Sequence, residues 1–156
     1  MISSRESYDK LLDILSKTLG IELSFEDDSC HLEIPELDLG CCIRKFEDED
    51  RIVLLGVLAK GIPDELRYDL VIDFLSTAIN PLYKSGPTVA YDEEDDVLLA
   101  YVNVDIRDIE ENDFPEIVDE FMVFEKHYRD QLNIGPDTAE DSSKSSASEI
   151  IGKINF

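Results

Sequence analysis

The side chains best suited to chemistry in this sequence are three thiols and two imidazoles. Cys30 and His31 are neighbours, as are Cys41 and Cys42, and together they offer a donor set that zinc accepts. The spacing argues against a site. In an extended chain adjacent side chains point to opposite faces, so neither pair brings both donors to one ion without a bend. Neither pair has zinc-finger spacing. The expectation is that the cysteines are small buried hydrophobes. Their odd count, with two adjacent, makes a poor disulfide framework.

Nucleophilic catalysis needs a nucleophile, a base and a group that orients the base. His31 falls within an expected strand, and His127 lies off the apolar stripe of the last expected helix. There is no nucleophile-elbow sequence and no glycine-rich phosphate loop; Gly56, Gly61 and Gly86 are scattered singly. The run Asp92-Glu93-Glu94-Asp95-Asp96 is contiguous and lacks the glycine of a calcium loop, so it reads as a solvated hairpin tip. Among 37 acidic residues nothing marks two as a glycosidase pair, and no Trp offers a sugar platform. The expectation is a protein that is not an enzyme and needs no metal or cofactor.

That moves attention to binding, where composition is informative. The 156 residues suit one domain, and 43% hydrophobic content can supply its core. Against 37 acidic residues stand 14 Lys and Arg, a formal charge of −23. Such a field repels phosphate backbones and anionic lipid, which argues against nucleic acid or a membrane surface as partner. The polar start and the short apolar run Ile52–Ala59 give no sign of a secretory signal or membrane span, so a cytoplasmic protein is expected.

The elements that must build the binding surface follow from periodicity. Ser3 and Glu6 have capping-box spacing, and Tyr8, Leu11, Leu12, Leu15 and Leu19 recur at helical spacing, so a helix is expected over Ser4–Leu19. Alternating apolar residues predict short strands at Ile21–Phe25, Cys30–Ile34 and Leu39–Phe46, then an apolar, central strand at Arg51–Lys60. Pro63 is expected to open a helix that Asn80-Pro81 ends or kinks. Two strands, near Thr88–Tyr91 and Val97–Val104, precede a last helix that begins at Asp113-Phe114-Pro115-Glu116 and carries Phe121, Phe124, Tyr128 and Leu132. The fold class is α+β: an antiparallel twisted sheet with helices in the order α-βββ-α-ββ-α. Residues 1–132 form the domain. Residues 133–156 read as a flexible Ser- and acid-rich tail whose end, with Ile150, Ile151, Ile154 and Phe156, is apolar.

The middle helix carries two apolar stripes. Leu66, Leu70, Phe74 and Ala78 form one, and Tyr68, Ile72, Leu75 and Ile79 the other. One stripe suffices for a helix at the edge of a monomer, so the second asks for a partner, either the protein's own sheet or a second copy. The sheet, for its part, is suited to an extended peptide, added at an edge or inserting side chains on a half-exposed apolar face. The dimer interface is accordingly expected at Leu66, Leu70, Ile72, Leu75 and Ile79 with Val97 and Leu99. Contact with a client is expected at Leu12, Leu15, Leu23, Phe25, Leu32 and Ile34.

The succession of features is similar to a known family. Leu11-Leu12 and Leu15 in a leading helix, Gly20, a small meander, the middle helix Leu66–Leu82 with Asn80 near its end, and above all Thr88-Val89-Ala90-Tyr91-Asp92-Glu93-Glu94-Asp95-Asp96-Val97-Leu98-Leu99 carry the likeness. Over roughly residues 5–132 the chain resembles the class I type III secretion chaperones of the CesT/Tir-chaperone family. The resemblance implies a homodimer in the bacterial cytoplasm that binds the N-terminal chaperone-binding region of a secreted effector. The effector stays extended, soluble and secretion-competent without ATP, and the secretion ATPase is a further partner. The alternative is a regulatory protein-binding module of the same fold.

Overall fold

The structure, a computed structural model, describes residues 4–83 and 86–133. Helix α1 spans Ser4–Leu19 and leads to three strands, β1 (Ser29–Ile34), β2 (Leu39–Phe46) and β3 (Arg51–Lys60). Helices α2 (Tyr68–Thr77) and α3 (Asn80–Tyr83) precede β4 (Thr88–Asp92) and β5 (Val97–Asp105), and α4 (Phe114–Asn133) closes the described chain. All pairings are antiparallel, in the order β1-β2-β3-β5-β4. The α+β expectation holds. The apolar strand β3 is central, with a register shift between Val57 and Ala59.

Strand alternation divides the sheet into two unlike faces. Leu32, Cys41, Ile43, Ile52, Leu54, Ala100 and Val102 join α1 and α4 in the main core, with Tyr8, Leu15, Phe114 and Phe121 fully buried. Tyr8 also donates its hydroxyl to the Phe46 carbonyl at 3.1 Å, and burial pushes its pKa up to about 12. Cys42, Leu55, Val57, Val97 and Leu99 point the other way. They form a second cluster to which, among the described residues, no helix contributes.

The connections are built from acid residues. Asp38 and Asp50 each follow a 3-10 turn, at Pro35–Leu37 and Glu47–Glu49, and each takes the left-handed conformation with φ 50°. Asp27, Asp28 and Asp96 also have positive φ. A short polar side chain tolerates that region better than any larger one. Arg129 of α4 bonds the Asp38 carbonyl and carboxylate, tying the last helix to the first of these turns.

Three expectations need correction or completion. Ile21–Phe25 alternates but is not a strand. It runs alongside the start of β1, held by one bridge between Glu26 and Ser29 and by the Leu23 N–H, which donates to Ser16 Oγ at 3.1 Å. The helix expected from Pro63 starts only at Tyr68. Arg67 is extended (φ −62°, ψ 139°), and its guanidinium donates to Gln131 on α4 at 2.8 Å, a tertiary tie outside the reach of helix periodicity. Asn80-Pro81 does break the helix: α2 stops at Thr77, because Pro81 has no N–H to extend the ladder, and α3 makes one more turn. Ser3 of the expected capping box and the apolar end at Ile150, Ile151, Ile154 and Phe156 lie outside the described residues.

Candidate functional site

The thiols and imidazoles are spread by the sheet rather than gathered. Cys30 and Cys41 face the main core and Cys42 the opposite side, as strand alternation demands. Burial pushes all three thiols up, Cys41 furthest, to well above an ordinary thiol. His31 is exposed on β1, and His127 meets the Tyr128 ring at 4.9 Å. Among the described residues no three His, Cys, Asp or Glu side chains are grouped to hold a metal ion. At the β4–β5 turn the carboxylate of Asp92 accepts the N–H groups of Glu94 and Asp95, at 3.0 and 3.3 Å, so this acid shapes its own hairpin.

The residues expected to meet a client divide in two. Leu23 and Phe25 converge on a hollow of about 550 Å³ between α1 and the extended segment before β1, with Leu12 beneath them and Asp9, Asp13, Ser16 and Glu22 along it. Lys45 lies at its base, only 8% exposed, with Nζ 5.2 Å from the Phe25 ring and 2.6 Å from Glu47 Oε1. The hydrogen bond to Glu47 holds its pKa above the ordinary lysine value. The hollow is therefore an apolar wall inside an acidic rim. Leu12, Leu15 and Leu32, by contrast, are 3%, 1% and 3% exposed in the main core, because α1 and α4 cover that face of the sheet. Their place in a client patch is corrected: they support the wall and cannot be reached. Ile34 is half-buried against the same core.

The residues expected at a dimer interface divide as well. Tyr68, Leu75 and Ile79 are 80%, 67% and 51% exposed, Ile72 is 41% exposed, and Leu82 and Tyr83 of α3 extend the same stripe. The opposite side of α2 is internal. Leu70 is buried and Leu66 packs on the core, Phe74 meets Tyr128 edge-on at 5.2 Å, and Thr77 Oγ1 accepts the Val89 N–H at 2.9 Å. The placing of Leu70 in an interface is corrected for that reason. Val97 and Leu99 belong to neither side of α2; they lie on the helix-free face of the sheet.

Two features escaped the sequence reading. The first is a cleft of about 590 Å³ on that helix-free face, where Val53, Leu55, Leu99 and Tyr101 meet Arg44, Phe46 and Arg51. Its lining comes from strands far apart in the chain, and only the alternate positions of Cys42-Arg44-Phe46 and Leu99-Tyr101-Asn103 hint at it. The second is Glu125, 0% exposed, with no hydrogen-bond partner for either carboxylate oxygen. Its carboxyl lies against Gly56 of β3, where a Cβ would come within 2.5 Å of Glu125 Cδ. Burial pushes its pKa up to about 8, against the opposing pull of the Arg129 guanidinium.

The fold recurs in solved structures. A chain of the HopA1–SchA chaperone–effector complex superposes with TM-score 0.67 at 22% identity, covering 83% of this chain and 98% of that one. A chain of the ExsC–ExsE complex gives 0.64 at 16%, covering 84% and 96%. One from the heterodimeric ExoU–SpcU complex of the Pseudomonas aeruginosa type III secretion system gives 0.58 at 14%, covering 76% and 94%. At these identities the likeness establishes the architecture. No curated protein sequence matches the chain. The model of the Tir chaperone protein (CesT) family matches residues 10–127, most of the chain and every element from the interior of α1 to the body of α4. On that match, the chain belongs to the Tir chaperone protein (CesT) family.

Proposed function

We propose that this protein is a chaperone for a type III secreted effector, working in the bacterial cytoplasm as a homodimer. It binds the N-terminal segment of its client in extended form and needs no ATP, because the work is burial of apolar side chains rather than chemistry. Release falls to the secretion apparatus and its ATPase. The observation that carries the reading is the hollow walled by Leu23 and Phe25 and rimmed by Asp9, Asp13 and Glu22. It takes apolar client side chains while the acids keep the loaded complex soluble. Family membership and the effector complexes among the structural neighbours support the same reading. No helix among the described residues is long and apolar enough to cross a membrane.

The outer stripe of α2, Ile72, Leu75 and Ile79 with Tyr68, is the self-association surface in this reading. A patch of that kind pairs most economically with its own copy across a two-fold axis. Client binding is tested by titrating nucleotide-free protein with isolated N-terminal segments of the type III effectors of its own bacterium. Phe25→Asp removes one apolar contact of ~1.5–3 kcal/mol and should weaken binding by roughly tenfold or more. Full affinity in that variant refutes the hollow as the client site, and an absolute need for ATP refutes the mechanism.

A further inference from the structure

Glu125 is a wholly buried acid, and the space it fills is made by a glycine. Among the described residues neither of its carboxylate oxygens has a hydrogen-bond partner. Its carboxyl sits against Gly56 of β3, at a point where any side chain on the strand would collide with it. β2 presents the Cys41 thiol, which burial and then this carboxyl push up. From α4 itself comes Arg129, whose guanidinium opposes the effect of burial on Glu125. Helix α1 and β5 bring Leu11, Leu15, Ala100 and Val102 to the same core, and the Tyr8 hydroxyl turns away to the Phe46 carbonyl. Tyr128, three residues on, packs edge-on to Phe74 and Phe124. A neutral acid is tolerated in such a place. Ionised, it leaves a core charge without a partner, which costs far more than an exposed ion pair returns.

Arg129 is the cation placed to answer that charge. It follows Glu125 by four residues, so the two side chains rise from one face of α4 roughly 6 Å apart, with the acid on the N-terminal side, the better order for such a pair. Its guanidinium is instead engaged with the β1–β2 turn, where it donates to the Asp38 carbonyl and, at 3.1 Å, to the Asp38 carboxylate. The two ends of that contact are unequal. The Arg129 side chain is 21% exposed and that of Asp38 92%, so the Asp38 carboxylate loses little by returning to water. The turn also has a hold of its own, since the Asp38 N–H donates to the Pro35 carbonyl at 3.2 Å. Arg129 therefore stands between an exposed acid that water can serve in its place and a buried one that water does not reach.

We propose that Arg129 is a proton-operated latch, closed on the β1–β2 turn while Glu125 is protonated and drawn inward to Glu125 when that carboxyl ionises. Rising pH takes the proton from Glu125 to solvent, Arg129 leaves Asp38, and the turn at the end of β1 loses its tie to α4. Linkage makes the latch work in reverse: whatever pulls Asp38 away from Arg129 frees the guanidinium for Glu125 and expels the proton. It requires neither a client nor a second copy, so it stands or falls independently of the proposed function.

Carbon-13 spectra of the labelled full-length chain test it. The Glu125 carboxyl carbon, the Arg129 guanidinium carbon and the Asp38 carbonyl carbon are followed together through the interval around pH 8. In the parent all three should titrate with one midpoint. Arg129→Gln should raise the Glu125 midpoint by roughly one pH unit, a proton held about tenfold more tightly, and leave the Asp38 carbonyl still across it. Asp38→Asn keeps a residue that tolerates the left-handed backbone but removes the carboxylate contact, and should lower the Glu125 midpoint. Asp50→Asn removes the same charge at the left-handed position of the β2–β3 turn and should leave the midpoint in place. An Asp38 carbonyl that stays still while Glu125 ionises in the parent overturns the proposal, and so does one that still follows Glu125 in Arg129→Gln. Equal effects of Asp38→Asn and Asp50→Asn overturn it too, since the carboxylate would then act through net charge alone. The parent spectra and the two asparagine variants decide the matter even where Arg129→Gln does not fold.

Discussion

Glu125 shows how position outranks residue type. It follows Phe121 by four residues and precedes Tyr128 by three, so the helical stripe that buries both aromatics buries the acid too. A reading that sorts residues by polarity passes over it; a reading that follows the period finds it. The same rule explains Leu15 and Leu32, whose spacing identified apolar faces correctly while leaving open what covers them. Because Glu125 titrates near pH 8 when folded and near 4.5 when unfolded, the folded state holds a proton that the unfolded state has lost in that interval. Its contribution to stability is therefore complete below about pH 4.5 and declines as pH rises to about 8, by up to ~1.4 kcal/mol per pH unit. Melting curves from pH 5 to 8 should show this decline in the parent and a shallower one in Glu125→Gln. Parallel pH profiles for the two would show that the carboxyl is not buried as the structure places it.

At the scale of the element, α2 is the most instructive. Its two apolar stripes were legible as soon as the residues were set on a helical period, and the structure buries one and leaves the other uncovered. What could not be read was the start of the helix, because Arg67 is held extended by a residue on α4, sixty-four positions away. The two stripes predict opposite outcomes. Leu75→Asp, on a side chain 67% exposed, should leave the fold intact and convert the proposed dimer into a monomer by light scattering. Leu70→Ala, in the core, should cost ~2–5 kcal/mol in denaturant unfolding, with the assembly otherwise unchanged at low denaturant. A dimer that survives Leu75→Asp rules out the α2 stripe as the interface.

For the whole molecule, the order of elements and the central place of β3 were legible because each rests on a local period of two or 3.6. The cleft and the hollow were not, since each is assembled from segments that only the folded register brings side by side. The charge of −23 acts at this scale as well. Self-repulsion opposes compaction, and salt screens it over a Debye length of ~10 Å at 0.1 M. Raising sodium chloride from ~10 mM to ~0.5 M should therefore raise the melting temperature; a flat or falling response would mean that local ion pairs outweigh the net field. The left-handed turns give this charge a particular character. Every non-glycine residue with positive φ among the described residues is an aspartate, at positions 27, 28, 38, 50 and 96. The side chains that bend the backbone are the same ones that repel neighbouring molecules. Asparagine is isosteric and equally at home in that conformation, so electrical charge and chain trajectory are separable one atom at a time. At Asp27 and Asp50, whose turns do not rely on a contact such as those of Asp38 with Arg129, Asp28 with Lys45 and Asp96 with Tyr91, a lineage or an engineer can retune the surface potential by a single-atom exchange without redrawing a loop.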